Sequence, residues 1–526
     1  MPSPASHQPA SPPAGSHRPT SHLIQLLDAA VGHGPERVAL IDPSGLTTTY
    51  GELAGRSAEA ARALEVVGAR PGEVVATLLP GDSSSVVALV ACARIGAICA
   101  PINGRLWARE RQACLALCQP SVVVTHPEFR PDVADNLTGV NGRNGLYGRT
   151  MVIEPGTGAQ PWADGALPSP SGAIVRPGPG SLWFTSATTG EPRAVLVDEA
   201  MSRAATAGAR HRPRPAPSSP NRRHLCAIDL SHFGGRLALL HALEDQVPLE
   251  LMATWSRREL ERVLDRPGPT VGTLSATGPQ LNPLVRSGPV PWLDGLERLE
   301  LTAGFASHAL LRSLSESSCE VVLRYGAAET AGLGATLSWT GPAEDRLAVG
   351  VPSDGMAIVV RNTAGAIAEP GQVGEIELGG PTVAGHYWSD PGASRRAFPQ
   401  PGVFRSGDLG VAHEDGSFSL YGRLGDRFVQ DGETVDPAAV ETVLGADPSV
   451  SELVIVPRPD PIVGAIGVAV TVPSCPDHPP FLHELVSGSD LAPKVRPRAQ
   501  WVVDGLPLSG SGTVQRRRLV YEESTR

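Results

Sequence analysis

Lysine is nearly absent from this chain: Lys494 is the only one in 526 residues, although Lys and Arg together number 44. With Gly 58 and Pro 51, this points to a GC-rich coding background in which arginine replaces lysine, so a lysine missing from a motif has to be judged against that drift. An excess of positive charge is missing too. The formal net charge is −10, which argues against the broad basic surface that nucleic-acid binders use to displace counterions. No apolar run reaches the ~18 residues that span a bilayer; the stretch Val86 to Ala100 is broken by Arg94 and stops at Pro101. Met1 to Ser21 is rich in Pro, Ser and His without an apolar core, and reads as a disordered tail (1–21) and not as a secretory signal. The seven cysteines (Cys92, Cys99, Cys114, Cys118, Cys226, Cys319, Cys475) lack the paired spacing of a zinc site and read as small buried hydrophobes, which suits a reducing cytoplasm. The expected partners are small molecules, with neither nucleic acid nor membrane among them.

A chain of this length exceeds the roughly 250–300 residues at which one core stops growing, so several lobes are expected, and 41% apolar residues supply a core for each. From His22 the pattern alternates. Helical spacing over His22 to Val31, Tyr50 to Leu64, Ser85 to Arg94 and Ala108 to Cys118 is interleaved with strand-like runs at Val38 to Ile41, Val74 to Leu79, Ala97 to Pro101 and Val122 to Thr125. That alternation predicts an α/β fold with doubly wound parallel sheets. Asn136 to Gly172 reads as a surface excursion, and Arg210 to Arg223, basic and Pro-rich, as a mobile solvated loop. From Gly350 the texture changes to short alternating strands with Gly/Pro turns, the pattern of a small β subdomain (350–422). The resulting division is an N-terminal domain over 22–423 and a C-terminal α+β domain over 424–526, in which Asp436-Pro437 opens a helix to Leu444.

Chemistry concentrates at a few strand ends. Thr185-Ser186-Ala187-Thr188-Thr189-Gly190 follows the apolar run Ser181 to Phe184 and precedes Arg193. Hydroxyls and closely approaching backbone N–H groups bind phosphate oxygens, glycine lets the chain turn, and the guanidinium balances charge. His232 stands between an apolar run and Gly234-Gly235, at the kind of strand end where open α/β sheets bind ligands. Tyr325 and Glu329 lie four apart at another; the ring offers a face for a flat base and the carboxylate can hold Mg²⁺ on phosphates. Asp408, in what reads as a tight glycine-flanked turn, suits both hydroxyls of a ribose. Gly422-Arg423-Leu424-Gly425-Asp426 reads as a hinge.

These motifs, in this order over about residues 22 to 520, resemble the superfamily of adenylate-forming enzymes that includes acyl-CoA synthetases, peptide-synthetase adenylation domains and luciferases. Thr185 to Val195 is similar to its phosphate loop, Tyr325-Gly326-Ala327-Ala328-Glu329 to its Tyr-Gly-x-Thr-Glu, Ser406-Gly407-Asp408 to its Thr-Gly-Asp, and Gly422-Arg423 to the Gly-Arg before its hinge. Thr49-Tyr50 with Glu52-Leu53, and Gly379 to Trp388, resemble flanking patterns. The resemblance implies ATP and Mg²⁺ as cofactors, with coenzyme A as a further candidate. Thr185, Ser186, Thr188, Thr189, Gly190 and Arg193 would hold phosphates, Tyr325 would stack on adenine, and Asp408 would bind the ribose. Glu329 would carry the metal, Arg423 would reach ribose or phosphate, and His232 would line the acid pocket. The C-terminal domain would swing about the hinge between two half-reactions.

One departure stands out. The family places a catalytic lysine after Ser-Gly near the C-terminus, where this chain reads Ser509-Gly510-Ser511-Gly512-Thr513. Drift explains Lys→Arg but not threonine. Ala328 replaces the threonine of Tyr-Gly-x-Thr-Glu, Ala187 a loop glycine, and Gly425 an expected charge. Residues for adenine, ribose and Mg²⁺ persist, while groups that would hold a carboxylate beside the α-phosphate are missing. The expectation is an AMP-forming ligase of specialised metabolism with a small, aromatic substrate. Short residues (Ser231, Gly234, Ala303, Gly304, Ala327) would leave room for a flat ring. The activated acid could be nitrite, as in the diazotase branch of the superfamily, delivered to an aryl amine. An ordinary aryl- or acyl-CoA ligase with weakened adenylation, and a non-catalytic nucleotide-binding protein, are the alternatives.

Overall fold

The computed structural model describes residues 21–129, 149–154, 158–161, 180–185, 192–209, 221–252, 254–286, 290–302, 310, 313–314, 316–339, 348–460, 462–475, 477–507, 514–516 and 518–520. Ser21 belongs to the fold and not to the tail: it stands at the N-terminus of helix His22–His33, and its hydroxyl donates to Glu199 Oε1 at 2.9 Å. β1 (Val38–Ile41) and β2 (Thr47–Thr49) follow. Helix Tyr50–Val66 starts where Thr49 and Glu52 satisfy each other's backbone N–H groups in a reciprocal cap.

β3 (Val74–Leu78), β4 (Ile98–Pro101) and β5 (Val122–Thr125) alternate with helices Ser83–Ile95 and Ala108–Cys118. Two strands, β6 (Arg149–Glu154) and β7 (Gly158–Pro161), lie inside the stretch expected to be a surface excursion. The reason is register: β6 pairs in parallel with β5, so a short run in a Gly/Asn-rich segment becomes strand by completing a neighbour's ladder. With β8 (Gly180–Phe184) and β9 (Ala194–Asp198) they form a seven-stranded sheet in the order β7-β6-β5-β3-β4-β8-β9, parallel from β6 to β8. Its central strands are buried along their length, as expected where helices cover both faces.

The second sheet has a parallel centre of β1, β10 (Arg222–Cys226), β11 (Leu249–Leu251), β12 (Thr270–Ala276), β13 (Arg298–Thr302) and β14 (Glu320–Tyr325). Arg222 and Arg223, read as the end of a solvated loop, lie in β10. Arg223 is fully buried, donating to Glu250 Oε2 at 2.5 Å and to Val263 O at 2.6 Å; a charge partner 27 residues away cannot be seen in local composition. Antiparallel strands continue this sheet: β15 (Ala335–Trp339), β16 (Ala348–Pro352), β17 (Ala357–Arg361), β18 (Val373–Gly379), β19 (Val403–Ala412) and β20 (Phe418–Arg423), in the order β15-β16-β20-β19-β18-β17. The strands expected as a β subdomain thus join the larger sheet through β15 and β16.

Four helices, His22–His33, Tyr50–Val66, Ser83–Ile95 and Phe233–Asp245, share the largest core cluster with strand residues of both sheets, among them Val75, Val122, Leu249 and Leu251. Beyond Arg423 the chain builds a smaller sheet from β21 (Phe428–Gln430), β22 (Glu433–Val435), β23 (Val450–Asp460), β24 (Gly464–Pro473) and β25 (Ala499–Val502), with helix Pro437–Leu444 capped by Asp436 as expected. Six of the cysteines are buried; Cys475 is exposed, against expectation, because it lies just past the end of β24. Among the described residues no helix is long and apolar enough to cross a membrane.

Candidate active site

Asp408 sits within β19 and not in a turn. Gly407, at φ 70, lets the strand bulge, and Ser406 braces the bulge by donating to Ile376 O at 2.8 Å and accepting from the Asp408 N–H at 3.0 Å. Arg423 lies directly across the ladder on β20, and its Nε donates to Asp408 Oδ1 at 2.8 Å. The other carboxylate oxygen accepts from Tyr325 Oη, also at 2.8 Å. Three residues that sequence reasoning linked to the nucleoside are therefore brought together. Tyr325 is only 9% exposed, with its ring edge-on to Phe418 at 5.6 Å; burial and the Asp408 charge hold its phenol protonated, well above the ordinary range. The Asp408 carboxylate in turn raises the pKa of Arg423.

A second cluster forms around Glu329, in the turn after β14. The carboxylate is 7% exposed and accepts from Tyr387 Oη at 2.7 Å; burial raises its pKa, against the effect of that hydrogen bond. Arg193 packs its guanidinium over the Tyr387 ring at 5.3 Å and stands 3.6 Å from Asp390. The segment bearing Tyr387 is bound to β9 by a bridge to Val195 and by the Trp388 N–H on Ala194 O at 2.7 Å. Thr185 and Arg193 close the neck of the loop expected to hold phosphates: each backbone N–H bonds the other residue, with Arg193 N reaching Thr185 Oγ1 at 3.3 Å. Ser186, Thr188, Thr189 and Gly190 lie outside the described residues, as do Ala303, Gly304 and Thr513. Tyr387 was missed as a site residue, although it falls in the Gly379 to Trp388 pattern; a lone tyrosine eight residues after Gly379 carries no signal of its own.

Glu329 suits a magnesium ion of the kind that takes one or two carboxylates and draws its remaining ligands from phosphates and water. Among the described residues no group of three acidic, His or Cys side chains forms a protein-only metal site. A nearby dication would also offset the burial that disfavours the ionised carboxylate.

His232 caps helix Phe233–Asp245, accepting the Gly234 N–H on Nδ1 at 3.1 Å; burial pushes its pKa down to about 4, so the ring is neutral near pH 7. The next residue, Phe233, fills the space where a side chain at Gly332 (φ 73) would stand, three residues past Glu329. The His232 segment therefore abuts the Glu329 turn. Room for a ring does not come from Gly234 or Ser231 as expected. A Cβ at Gly234 would meet Thr302 Oγ1 at 2.4 Å, and the Ser231 hydroxyl is engaged by Asp229. Close helix–strand packing, not an opening, explains that glycine. A cavity of about 20 Å³, room for little more than a water molecule, lies between β8, β9 and helices Glu199–Gly208 and Phe233–Asp245.

The lobes meet near this site. Gly422 lies against Asp436 and Ala438, and the Arg518 guanidinium sits 4.9 Å from the Trp107 ring; within the C-terminal lobe, Arg516 pairs with Asp426 at 3.4 Å and Glu441 at 2.5 Å. Lys494 is exposed and stands 3.4 Å from Glu433.

Comparison with known proteins agrees with this arrangement. Residues 27–388 match the model of the AMP-binding enzyme family and residues 439–513 that of the AMP-binding enzyme C-terminal domain. An indoleacetate–CoA ligase of Aromatoleum aromaticum is 28% identical, over 86% of this chain and 88% of its own. A feruloyl-CoA synthase of a Streptomyces species is 29% identical, over 93% and 98%. The structure of o-succinylbenzoate coenzyme A synthetase from Bacillus subtilis, in complex with ATP and magnesium, superposes with a TM-score of 0.76 at 25% identity, covering 94% of this chain and 98% of that one. With most of its length under the two family models and its acidic, tyrosine and arginine side chains gathered at the strand ends, the chain belongs to the AMP-binding enzyme family, within the adenylate-forming superfamily.

Proposed function

We propose that this protein is an ATP-dependent, AMP-forming ligase that activates a small acid in specialised metabolism and takes an aromatic substrate. The observation that carries the reading is the pairing of two prearranged clusters, Asp408 with Arg423 and Tyr325 on the larger sheet, and Glu329 with Tyr387 and Arg193, the last at the neck of the loop between β8 and β9. Asp408, its carboxylate already oriented by two donors, would accept the ribose hydroxyls. Arg193 and Arg423 would supply positive charge on either side of the phosphates. Magnesium, held by Glu329, would supply Lewis-acid stabilisation of the leaving pyrophosphate. Neutral His232, at the edge of the acid pocket, would shape it without adding charge. The aromatic preference draws support from relatives named for indoleacetate and ferulate.

Position 513 favours a second, sharper reading. Threonine stands where the family has lysine, the chain's one lysine is beside Glu433, and Arg516 is occupied by Glu441 and Asp426. A positioned cation at a developing charge is typically worth on the order of 3–4 kcal/mol, so its loss suits an acid that needs little orienting. Nitrite is such an acid. Its oxygen would attack the α-phosphate, releasing pyrophosphate and leaving a nitrosyl ester of AMP. An aryl amine would then attack the nitrogen, AMP leaving with the bonding pair. The resulting N-nitrosamine would lose water, after proton transfer, to give the diazonium. Holding amine and adenylate together would supply much of the rate.

One experiment tests both. Pure protein is incubated with ATP, Mg²⁺ and either nitrite with aminobenzoates and aminocinnamates, or carboxylic acids with and without coenzyme A. AMP formation requiring nitrite and amine, with a diazo product by mass spectrometry, supports the nitrite reading. AMP release that ignores nitrite returns the protein to carboxylate activation, where Thr513→Lys is expected to raise turnover. No AMP with any acid sinks the ligase itself.

A further inference from the structure

The two lobes also touch at Arg518, far along the chain from the hinge. Its guanidinium stands 4.9 Å from the centre of the Trp107 ring, within the ~6 Å over which a cation is attracted to an aromatic face. Both partners are held from behind. Trp107 precedes helix Ala108–Cys118, and its N–H donates to Glu110 Oε2 at 2.9 Å. Arg111 of the same helix donates to Gly104 O and Leu106 O and lies over the Phe129 ring. In the C-terminal lobe, Leu519 is 2% exposed in a cluster with Val454, Val456, Val468 and Val470 of β23 and β24. Arg516 donates to Ile455 O at 2.9 Å besides pairing with Glu441. Arg518, between these two anchors, reaches out of its own lobe to the ring.

The ring stands beside the loop expected to hold phosphates. β4 and β8 are parallel neighbours, so the segment from Ile102 to Trp107 and the loop after Phe184 leave the seven-stranded sheet at the same edge. Leu106 packs against a core cluster that also takes in Phe184 and Trp388, the residue after Tyr387. Trp107 itself is 59% exposed, so its ring adds little to the core of its own lobe. Among the described residues the core clusters of the C-terminal lobe draw only on residues past Arg423, and those of the N-terminal lobe only on residues before it. Lobes joined without a common core are expected to move relative to each other. A surface contact of modest strength then biases where the smaller lobe rests.

We infer that Arg518 and Trp107 form a latch that seats the C-terminal lobe against the edge of the adenylating site, and that both are positioning residues for adenylation. The latch stands on geometry; its part in the reaction rests on the ligase reading. Spin labels on Cys475, exposed in the C-terminal lobe, and on a Glu59→Cys variant at the exposed face of helix Tyr50–Val66 report the seated and displaced populations by pulsed EPR. A cation over a ring at an exposed site is worth about two- to fivefold in that ratio. Trp107→Leu and Arg518→Gln should each lower it by that factor, and Trp107→Phe by less, because its ring keeps a negative face. The double variant should go no further than either single, as two halves of one contact do. An unchanged distribution in Trp107→Leu, or losses that add in the double variant, overturns the latch. ATP affinity by calorimetry should match wild type in all four variants, while the maximal rate of pyrophosphate exchange falls in proportion to the seated fraction. A rate that does not follow that fraction overturns the positioning role. Absence of exchange in wild type, with the EPR shift intact, would sink the ligase and leave the latch standing; exchange with an unmoved distribution would do the reverse.

Discussion

Replacing Asp408 by alanine removes the acceptor on which the proposed nucleoside site is built. In the folded protein its two oxygens take Tyr325 Oη and Arg423 Nε, both at 2.8 Å, so the carboxylate is fixed before ATP arrives. A hydrogen bond to a charged group contributes roughly 1.5–3 kcal/mol, and every 1.4 kcal/mol is about tenfold in Kd. Counting only one of the two ribose bonds, ATP–Mg²⁺ affinity should fall about ten- to a hundredfold by calorimetry. The variant also strands a buried phenol, which costs about 1–3 kcal/mol of stability and should appear as a lower Tm. Tyr325→Phe separates the two effects, because it removes the phenol and leaves Asp408 paired with Arg423. Its ATP affinity should stay within about threefold of wild type, the size of one modest neutral hydrogen bond. The reasoning is refuted if Asp408→Ala binds ATP like wild type, or if Tyr325→Phe loses as much affinity, since the effect would then be packing.

Other outcomes follow from the same geometry. Tyr387→Phe removes the hydrogen bond that holds down the Glu329 pKa, already raised by burial, so the carboxylate should ionise only at still higher pH. The acid limb of Mg²⁺-dependent pyrophosphate exchange should move up, and an unmoved limb would detach Glu329 from metal binding. His232, pushed from 6.5 to about 4, binds fewer protons in the folded state than in the unfolded chain. Stability should therefore rise with pH between those values and be lost as pH falls through them, and His232→Asn, which can still cap the helix, should flatten that slope in denaturant titrations.

Much of this protein is decided locally. The alternation of apolar strands with amphipathic helices determined the α/β class. The Thr49/Glu52 cap and Asp436-Pro437 fixed helix starts to the residue, and the order of the Thr185–Arg193, Tyr325–Glu329, Asp408 and Gly422-Arg423 segments identified the family, because each depends on neighbours a few positions away. Tertiary structure decided the rest, where the partner is remote in sequence. β6 becomes a strand only beside β5, and Arg223 is a core residue only beside Glu250. Tyr387 reaches Glu329 across 58 residues, and Arg518 meets Trp107 from the other lobe. A buried charge or a phenol in a site is defined by what satisfies it, and in a doubly wound fold that group comes from another strand or helix, which no local pattern can announce.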